Sequence, residues 1–480
     1  MLNREEVIAD IAKAVIERLR VAPPPAPQPV TAAPRISTGD GVFETVDEAV
    51  AAASEAQKRV AAMSLEDRGR MVAIIRQVCD ERSHQLARME LDETGLGRLD
   101  HKIEKLKAVK YVLGVEAMRS GARSDRSGLC VIEHAPFGVI GMVLPATHSA
   151  PTMASNAINV LASGNTAVFS PHPAAAGVAA YALQVFNHEI KRELGIENVM
   201  TTVRAPRIRS AEEIFRHPGV NLLCVTGGPA VVKAAAKSGK RVIAAGPGNP
   251  PVVVDETADL DNAAKAIIEG AAFDNNLLCI GEKEVFVVAK VADAFMGAMR
   301  RAGAFELDRA AIERLTAAAF RFEGDGVGCG RAHLTKELVG KDVALLAAAA
   351  GVKVPDGTQL LFGETKADHA FVQEEQMMPF LPVVRVADVD AAIAAALQAE
   401  HGYRHTAIIH SRNVENVTKM ARTMNTTLFV QNAPCGAALG LGGPGYLSFS
   451  IATPTGEGIT TPLTFTRERQ IVIGGGLRII

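Results

Sequence analysis

VIEHAPFGVIGMVLPATHSAPTMASNAINVLASGNTAVFSP, residues 131–171, switches its apolar rhythm twice. Residues 131–146 form a β-like apolar run, 150–164 carry helical spacing, and 165–171 read as a short strand followed by a helix over 174–194. The alternation continues through NVMTTVR (198–204), VNLLCVTGGPAVVKAAAKSG (220–239), RVIAAGPGNPPVVVD (241–255), LDNAAKAIIEGAAFDNN (260–276) and EKEVFVVA (282–289). Strands alternating with helices predict an α/β protein built on parallel, doubly wound sheet. The second half keeps this style up to TAIIHS (406–411), a helix over Asn413–Arg422, TTLFVQN (426–432) and the glycine-rich GLGGPG (440–445). Upstream, residues 46–112 are helical in periodicity.

A chain of 480 residues that is 48% hydrophobic has room for at least two cores. Lys plus Arg number 51 against 53 Asp plus Glu, and no long basic run offers a nucleic-acid footprint. No apolar run approaches the roughly 18 residues of a membrane span, and the N-terminus lacks a secretory apolar core. Cys79, Cys130, Cys224, Cys279, Cys329 and Cys435 show no CxxC spacing, which argues against a disulfide framework or a zinc site and fits a cytoplasmic protein without a metal. GDGVGCG (324–330) reads as a flexible loop.

The first twenty residues place Leu2, Ile8, Ile11, Val15 and Leu19 on one face of an amphipathic helix, and residues 21–36 form a proline-rich linker. Such a helix either packs on its own protein or docks in a groove of another.

Several segments could carry chemistry. Gly227 and Gly228 sit between a strand ending near Thr226 and a helix starting near Pro229, which is either an ordinary tight turn or a phosphate site. Cys279 lies on a loop before a strand, and is either a core cysteine or a nucleophile. Thr147, His148 and Ser149 either cap the next helix or donate hydrogen bonds to an oxyanion.

Taken together, FDNNLLCIGEKEVFV (273–287), the TGG turn, PPVVVDETADLDNAA (250–264) and EEQMMPFLP (374–382) resemble the aldehyde dehydrogenase superfamily from about Ser37 onward. LPATHSAPT (144–152), SPHPAAAG (170–177) and SIATPTGEGIT (450–460) resemble its CoA-acylating branch from bacterial microcompartments for propanediol or ethanolamine breakdown. The resemblance implies an NAD-binding domain over 37–245 with oligomerisation strands near 122–134, a catalytic domain over 246–448, and a C-terminal segment over 449–480 with a further oligomerisation strand. It implies Cys279 as nucleophile, Thr226, Gly227 and Gly228 as the cofactor turn, and Glu375 as partner of the nicotinamide ribose. Ser170, Pro171 and His172 stand where hydrolytic relatives grip the adenosine ribose with a lysine. Thr147 replaces their oxyanion asparagine, shifting that task toward the Cys279 backbone N–H.

Hydrolytic relatives also carry a glutamate where this chain has Ala244 or Ala245, and residues 242–254 contain no acid. Without that base, water attack on an acyl-enzyme is slow and a thiol becomes the acceptor. The expectation is therefore a cytoplasmic, microcompartment-enclosed enzyme that converts a short aliphatic aldehyde, NAD and coenzyme A into acyl-CoA. Residues 1–20 would dock on a shell protein. Segments SDRSGLCVIEHA (124–135) and LTFTRERQIVIGG (463–475) would exchange between subunits of a homodimer or homotetramer.

Overall fold

The computed structural model describes residues 37–323 and 331–475, so the amphipathic helix, the linker and the GDGVGCG loop lie outside the described residues. Residues from Ile36 onward group into one compact unit. Strands within it form two parallel sheets, as the alternation predicts.

The first sheet has six strands in the order Val42–Phe43, Met200–Val203, Thr166–Pro171, Val139–Leu144, Leu222–Thr226 and Arg241–Ala245. Every pairing is parallel. The central strand VIGMVL is buried at all six positions, the uninterrupted apolar pattern expected when helices cover both faces. Helix Ser149–Ala162, which follows it, is likewise buried along its whole length. From Val139–Leu144 the chain runs outward on one side and then returns to lay Leu222–Thr226 on the other. A crevice therefore opens at the carboxyl ends of these two neighbours, the usual ligand position in such sheets.

The second sheet has seven strands, in the order Phe305–Glu306, Leu361–Thr365, Phe380–Val386, Glu284–Val288, Pro251–Val254, Thr406–His410 and Leu428–Gln431, again all parallel. Only residues 246–250 separate the last strand of the first sheet from Pro251–Val254. The carboxyl edge of one sheet thus runs directly into the amino edge of the other.

One expected strand is two. The run 131–146 breaks at Phe137–Gly138, where Gly138 has φ +120°. Gly128–Pro136 joins a separate antiparallel sheet, and Val139–Leu144 enters the first parallel sheet. In the antiparallel sheet, Gly128–Pro136 lies between Gly121–Asp125 and Thr466–Gly474, with Thr466 opposite Pro136 and Gly474 opposite Gly128. The two segments expected to exchange between subunits therefore pair within one chain. The outer edge of Thr466–Gly474 has no partner strand among the described residues, and Ile471, Val472 and Ile473 are exposed.

Asn165 ties these parts together. Its Oδ1 accepts from Gly138 N–H (2.8 Å), and its Nδ2 donates to Ser163 Oγ (2.7 Å) and the Phe465 carbonyl (2.8 Å). Asn165→Ala should strip these partners from the Gly138 N–H and the Phe465 carbonyl at a cost of about 2–4 kcal/mol. A lower midpoint in urea unfolding would register it, and an unchanged midpoint would show that the amide ties nothing together.

Candidate active site

The candidate site assembles at the amino edge of the second sheet. Four neighbouring strands are preceded by its segments: Gly246–Pro250 before Pro251–Val254, Leu278–Lys283 before Glu284–Val288, Glu375 before Phe380–Val386, and His405 before Thr406–His410. Gly248 sits tightly between two of the others. A Cβ there would lie 2.6 Å from the Cys279 carbonyl and 3.0 Å from His405 Cγ, so only glycine lets the two backbones meet.

Cys279 lines a narrow, largely apolar cavity with Phe273, Leu278, Ile280, Leu439, Leu447 and Phe449. The glycines of GLGGPG bring this wall in. A Cβ on Gly440 would approach the Gly445 carbonyl to 2.6 Å, and one on Gly443 the Ala437 carbonyl to 2.5 Å, so the coil folds back tightly on Cys435–Leu439. Poor hydration at the sulfur, reinforced by the Glu375 carboxylate, pushes the Cys279 thiol up to about 12. Lys283 and the backbone N–H groups of Cys279 and Ile280 act in the opposite direction. Glu375 accepts from Gly248 N–H, yet burial still pushes its carboxyl up to about 7.

Thr147 does not line this cavity; His148 does. The Thr147 hydroxyl lies 2.8 Å from His148 Nδ1. Nor do Thr147, His148 and Ser149 cap helix Ser149–Ala162 with their side chains, because Glu90 Oε1 reaches across to accept from Ala150 N–H at 3.0 Å. Glu90 belongs to a buried charge network that includes Lys102, Lys105 and Asp274. Lys102 Nζ donates to Glu90 (3.2 Å) and the Thr147 carbonyl (3.3 Å), and Lys105 Nζ donates to Asp274 (2.5 Å). Lys105 and Lys102 add to burial in holding His148 well below the usual histidine range, so its imidazole is neutral. This network links the His148 loop to the turn leading into Cys279.

Ser170, Pro171, Thr226, Gly227 and Gly228 gather at the carboxyl edge of the first sheet, with Ser170 opposite Val143 and Pro171 opposite Leu144. His172 is exposed just beyond, its Nδ1 accepting from Ala174 N–H. Gly228 precedes helix Pro229–Ala236, and a Cβ there would meet open space. A pyrophosphate-bearing cofactor fits this crevice, with a free helix start and no side chain in the way. The segment 450–460 packs against the same edge: Thr226 Oγ1 lies 2.8 Å from Ser450 Oγ, and Ala244 N–H donates to Thr455 Oγ1 at 2.9 Å.

Sequence reasoning passed over Lys283, His405, Gly248 and the Glu90–Lys102–Lys105–Asp274 network. A lysine and a glutamate opening an otherwise apolar strand were the available signal for Lys283. The five described cysteines are free thiols, with Cys329 outside the described residues. No described helix is long and apolar enough to cross a membrane.

A thiol where two parallel sheets meet, beside an open strand–turn–helix edge, defines an oxidoreductase-like architecture, and the chain belongs to the aldehyde dehydrogenase family, whose model matches residues 25–305. Among its relatives it is 46% identical over 444 residues to the acetylating acetaldehyde dehydrogenase EutE of Salmonella typhimurium, covering 92% of this chain and 94% of that one. A propionaldehyde dehydrogenase from the Clostridium phytofermentans fucose utilisation microcompartment superposes with a TM-score of 0.89 at 40% identity, over 92% of this chain and all of that one (100%). The Rhodopseudomonas palustris propionaldehyde dehydrogenase, solved with bound CoA and an acylated cysteine, gives a TM-score of 0.87 at 42% identity, over 91% and 99% of the two chains.

Two outcomes follow from this geometry. Gly248→Ala should displace the Cys279 backbone and lower kcat by about a hundredfold in a folded protein; an unchanged kcat would mean that the turn relaxes without moving the sulfur. Burial also pushes His405 and His410 down from 6.5 to about 4. The unfolded chain then binds protons that the folded one refuses, so stability falls as pH drops from 6.5 toward 4. Each histidine contributes a slope of about 1.4 kcal/mol per pH unit. Urea unfolding of His410→Leu across that window should show a shallower slope than the wild type, and equal slopes would contradict the assignment.

Proposed function

We propose that this protein is a CoA-acylating aldehyde dehydrogenase that oxidises short aliphatic aldehydes, with acetaldehyde and propanal as the substrates to test, and that Cys279 carries the acyl group. The observation that carries this reading is the acid-free connection. Strand Arg241–Ala245 ends in two alanines, and the turn that follows touches Cys279 through Gly248. The position from which hydrolytic relatives activate water therefore holds no carboxylate, and Pro454 packs against Gly246 there.

In this reading, the Cys279 thiolate adds to the aldehyde carbonyl, and backbone N–H groups at Cys279 and Ile280 face the charge that develops. The apolar cavity holds the alkyl chain and limits its length. NAD, when bound, supplies the hydride acceptor. Thr226, Gly227 and Gly228 hold its phosphate end, Ser170, Pro171 and His172 border its adenosine side, and Glu375 holds the nicotinamide ribose. The CoA thiolate then attacks the Cys279 thioester and releases Cys279 as thiolate, exchanging one thioester for another. Aldehyde, NAD and CoA thus yield acyl-CoA, NADH and a proton. His405 is neutral, its Nε2 has no hydrogen-bond partner among the described residues, and its ring flanks the Gly248 turn. One methylene changes binding by only about 1–3 kcal/mol, so acetaldehyde and propanal are both accommodated.

The first sheet corresponds in this reading to an NAD-binding domain and the second to a catalytic domain. Residues 1–20 dock on a shell protein, which places the enzyme in a cytoplasmic microcompartment. The exposed edge of Thr466–Gly474 pairs with another subunit of a homodimer or homotetramer. A second reading keeps water as acceptor. Glu375, a carboxyl near neutrality that faces Cys279, favours it.

NADH formation from propanal and NAD separates the two readings. Strict dependence on CoA, with propanoyl-CoA as product and at least about a thousandfold loss in Cys279→Ala, is the expected result. Steady turnover without CoA would establish water as the acceptor.

A further inference from the structure

Lys283 has no role in the reading above, yet its side chain is completely buried. Its Nζ lies 2.8 Å from the Asn276 carbonyl, 2.5 Å from Asn276 Oδ1 and 3.1 Å from the Leu278 carbonyl. Three acceptors around one nitrogen match the three N–H donors of an ammonium. A neutral amine would leave its lone pair against the third oxygen. Burial pushes Lys283 below the usual lysine range, but the acceptor set selects the charged form and leaves no lone pair for a base. Lys283 is a fixed cation.

The segment it grips is strained. Asp274, Asn275 and Asn276 have φ of 48°, 56° and 65°, three successive non-glycine residues in the left-handed region. On the far side, Asp274 accepts from Arg98 N–H (2.8 Å) and Lys105 Nζ (2.5 Å). On the near side, Lys283 holds the two carbonyls that bracket the approach to Cys279.

The groups around Lys283 and Cys279 come from several elements. Glu375 precedes Phe380–Val386, His405 precedes Thr406–His410, Cys435 opens Cys435–Leu439, and Glu282 and Glu284 flank Lys283 itself. Glu104, Lys105 and His148 also line the Cys279 cavity. His405 and His148 are neutral, burial raises the carboxyls of Glu282, Glu284 and Glu375, and Lys105 is bonded to Asp274, which leaves Lys283 as the cation among these described groups that is held by carbonyl and amide oxygens alone.

We propose that Lys283 is the positioning residue of the nucleophile: its ammonium pins the left-handed turn through Asn276 and Leu278 and serves as the fixed counter-charge to the Cys279 sulfur. The proposal rests on the reading of Cys279 as the acyl carrier.

The test is the rate of Cys279 alkylation by iodoacetamide, followed by peptide mass spectrometry in the full-length protein, with melting temperature recorded separately. Near pH ~8, Lys283→Met and Lys283→Gln should react about tenfold more slowly, because loss of a neighbouring opposite charge shifts a titration by about one unit. Lys283→Gln retains two N–H donors and so keeps the test alive if Lys283→Met does not fold. Lys283→Arg should recover most of the rate, and Glu375→Gln should exceed the wild type. A folded Lys283→Gln alkylated at the wild-type rate overturns the proposal, as does a failure of arginine to rescue. Turnover that survives complete Cys279 alkylation would instead overturn the acyl-carrier reading, and the rate comparison would still judge Lys283 on its own.

Discussion

The backbone contact between Gly248 and Cys279 constrains everything around it. Two parallel sheets meet where one strand leaves the first and, after five residues, enters the second. The turn between them must pass the Cys279 carbonyl on one side and the His405 ring on the other, with no room for a side chain. Because parallel strands carry loops at their ends, the carboxyl edge of one sheet and the amino edge of the other supply complementary groups. The first edge offers free backbone N–H at a helix start, and the second offers a thiol, a carboxyl, an imidazole and a cation.

Burial is the common physical cause of the site's electrostatics. The thiol, Glu375 and His405 are each driven toward their neutral forms. A site that disfavours charge makes each retained charge count, which is why the three-oxygen cage around Lys283 matters. The same logic covers the Glu90–Lys102–Lys105–Asp274 network. Four buried ionisable side chains there each lie against a group of opposite sign, the arrangement that offsets the cost of taking them out of water.

Much of this was legible in the sequence. The alternation after residue 131 marks both parallel sheets, and Gly227–Gly228 falls at the carboxyl edge where a strand–turn–helix reading puts it. What stayed hidden depends on distance along the chain. Asp274 meets Lys105 across 169 residues, and no local pattern announces that pairing. The run 131–146 read as a single strand, and its division at Phe137–Gly138 between two sheets depends on Thr466–Gly474 far downstream. One reading of Thr147, His148 and Ser149 made them the cap of the next helix. Glu90, which supplies the cap, comes from another helix entirely.

The late arrival of the C-terminal segment also sets a timetable for synthesis. Gly128–Pro136 finds its long partner only in Thr466–Gly474, Asn165 completes its bonds at Phe465, and Thr226 meets Ser450. At roughly 5–20 residues per second, the first sheet waits on the order of tens of seconds for these partners to leave the ribosome. During that interval the cofactor crevice lacks one wall and an apolar strand edge lies open. The nascent chain is therefore exposed to aggregation until residues 450–474 have been made.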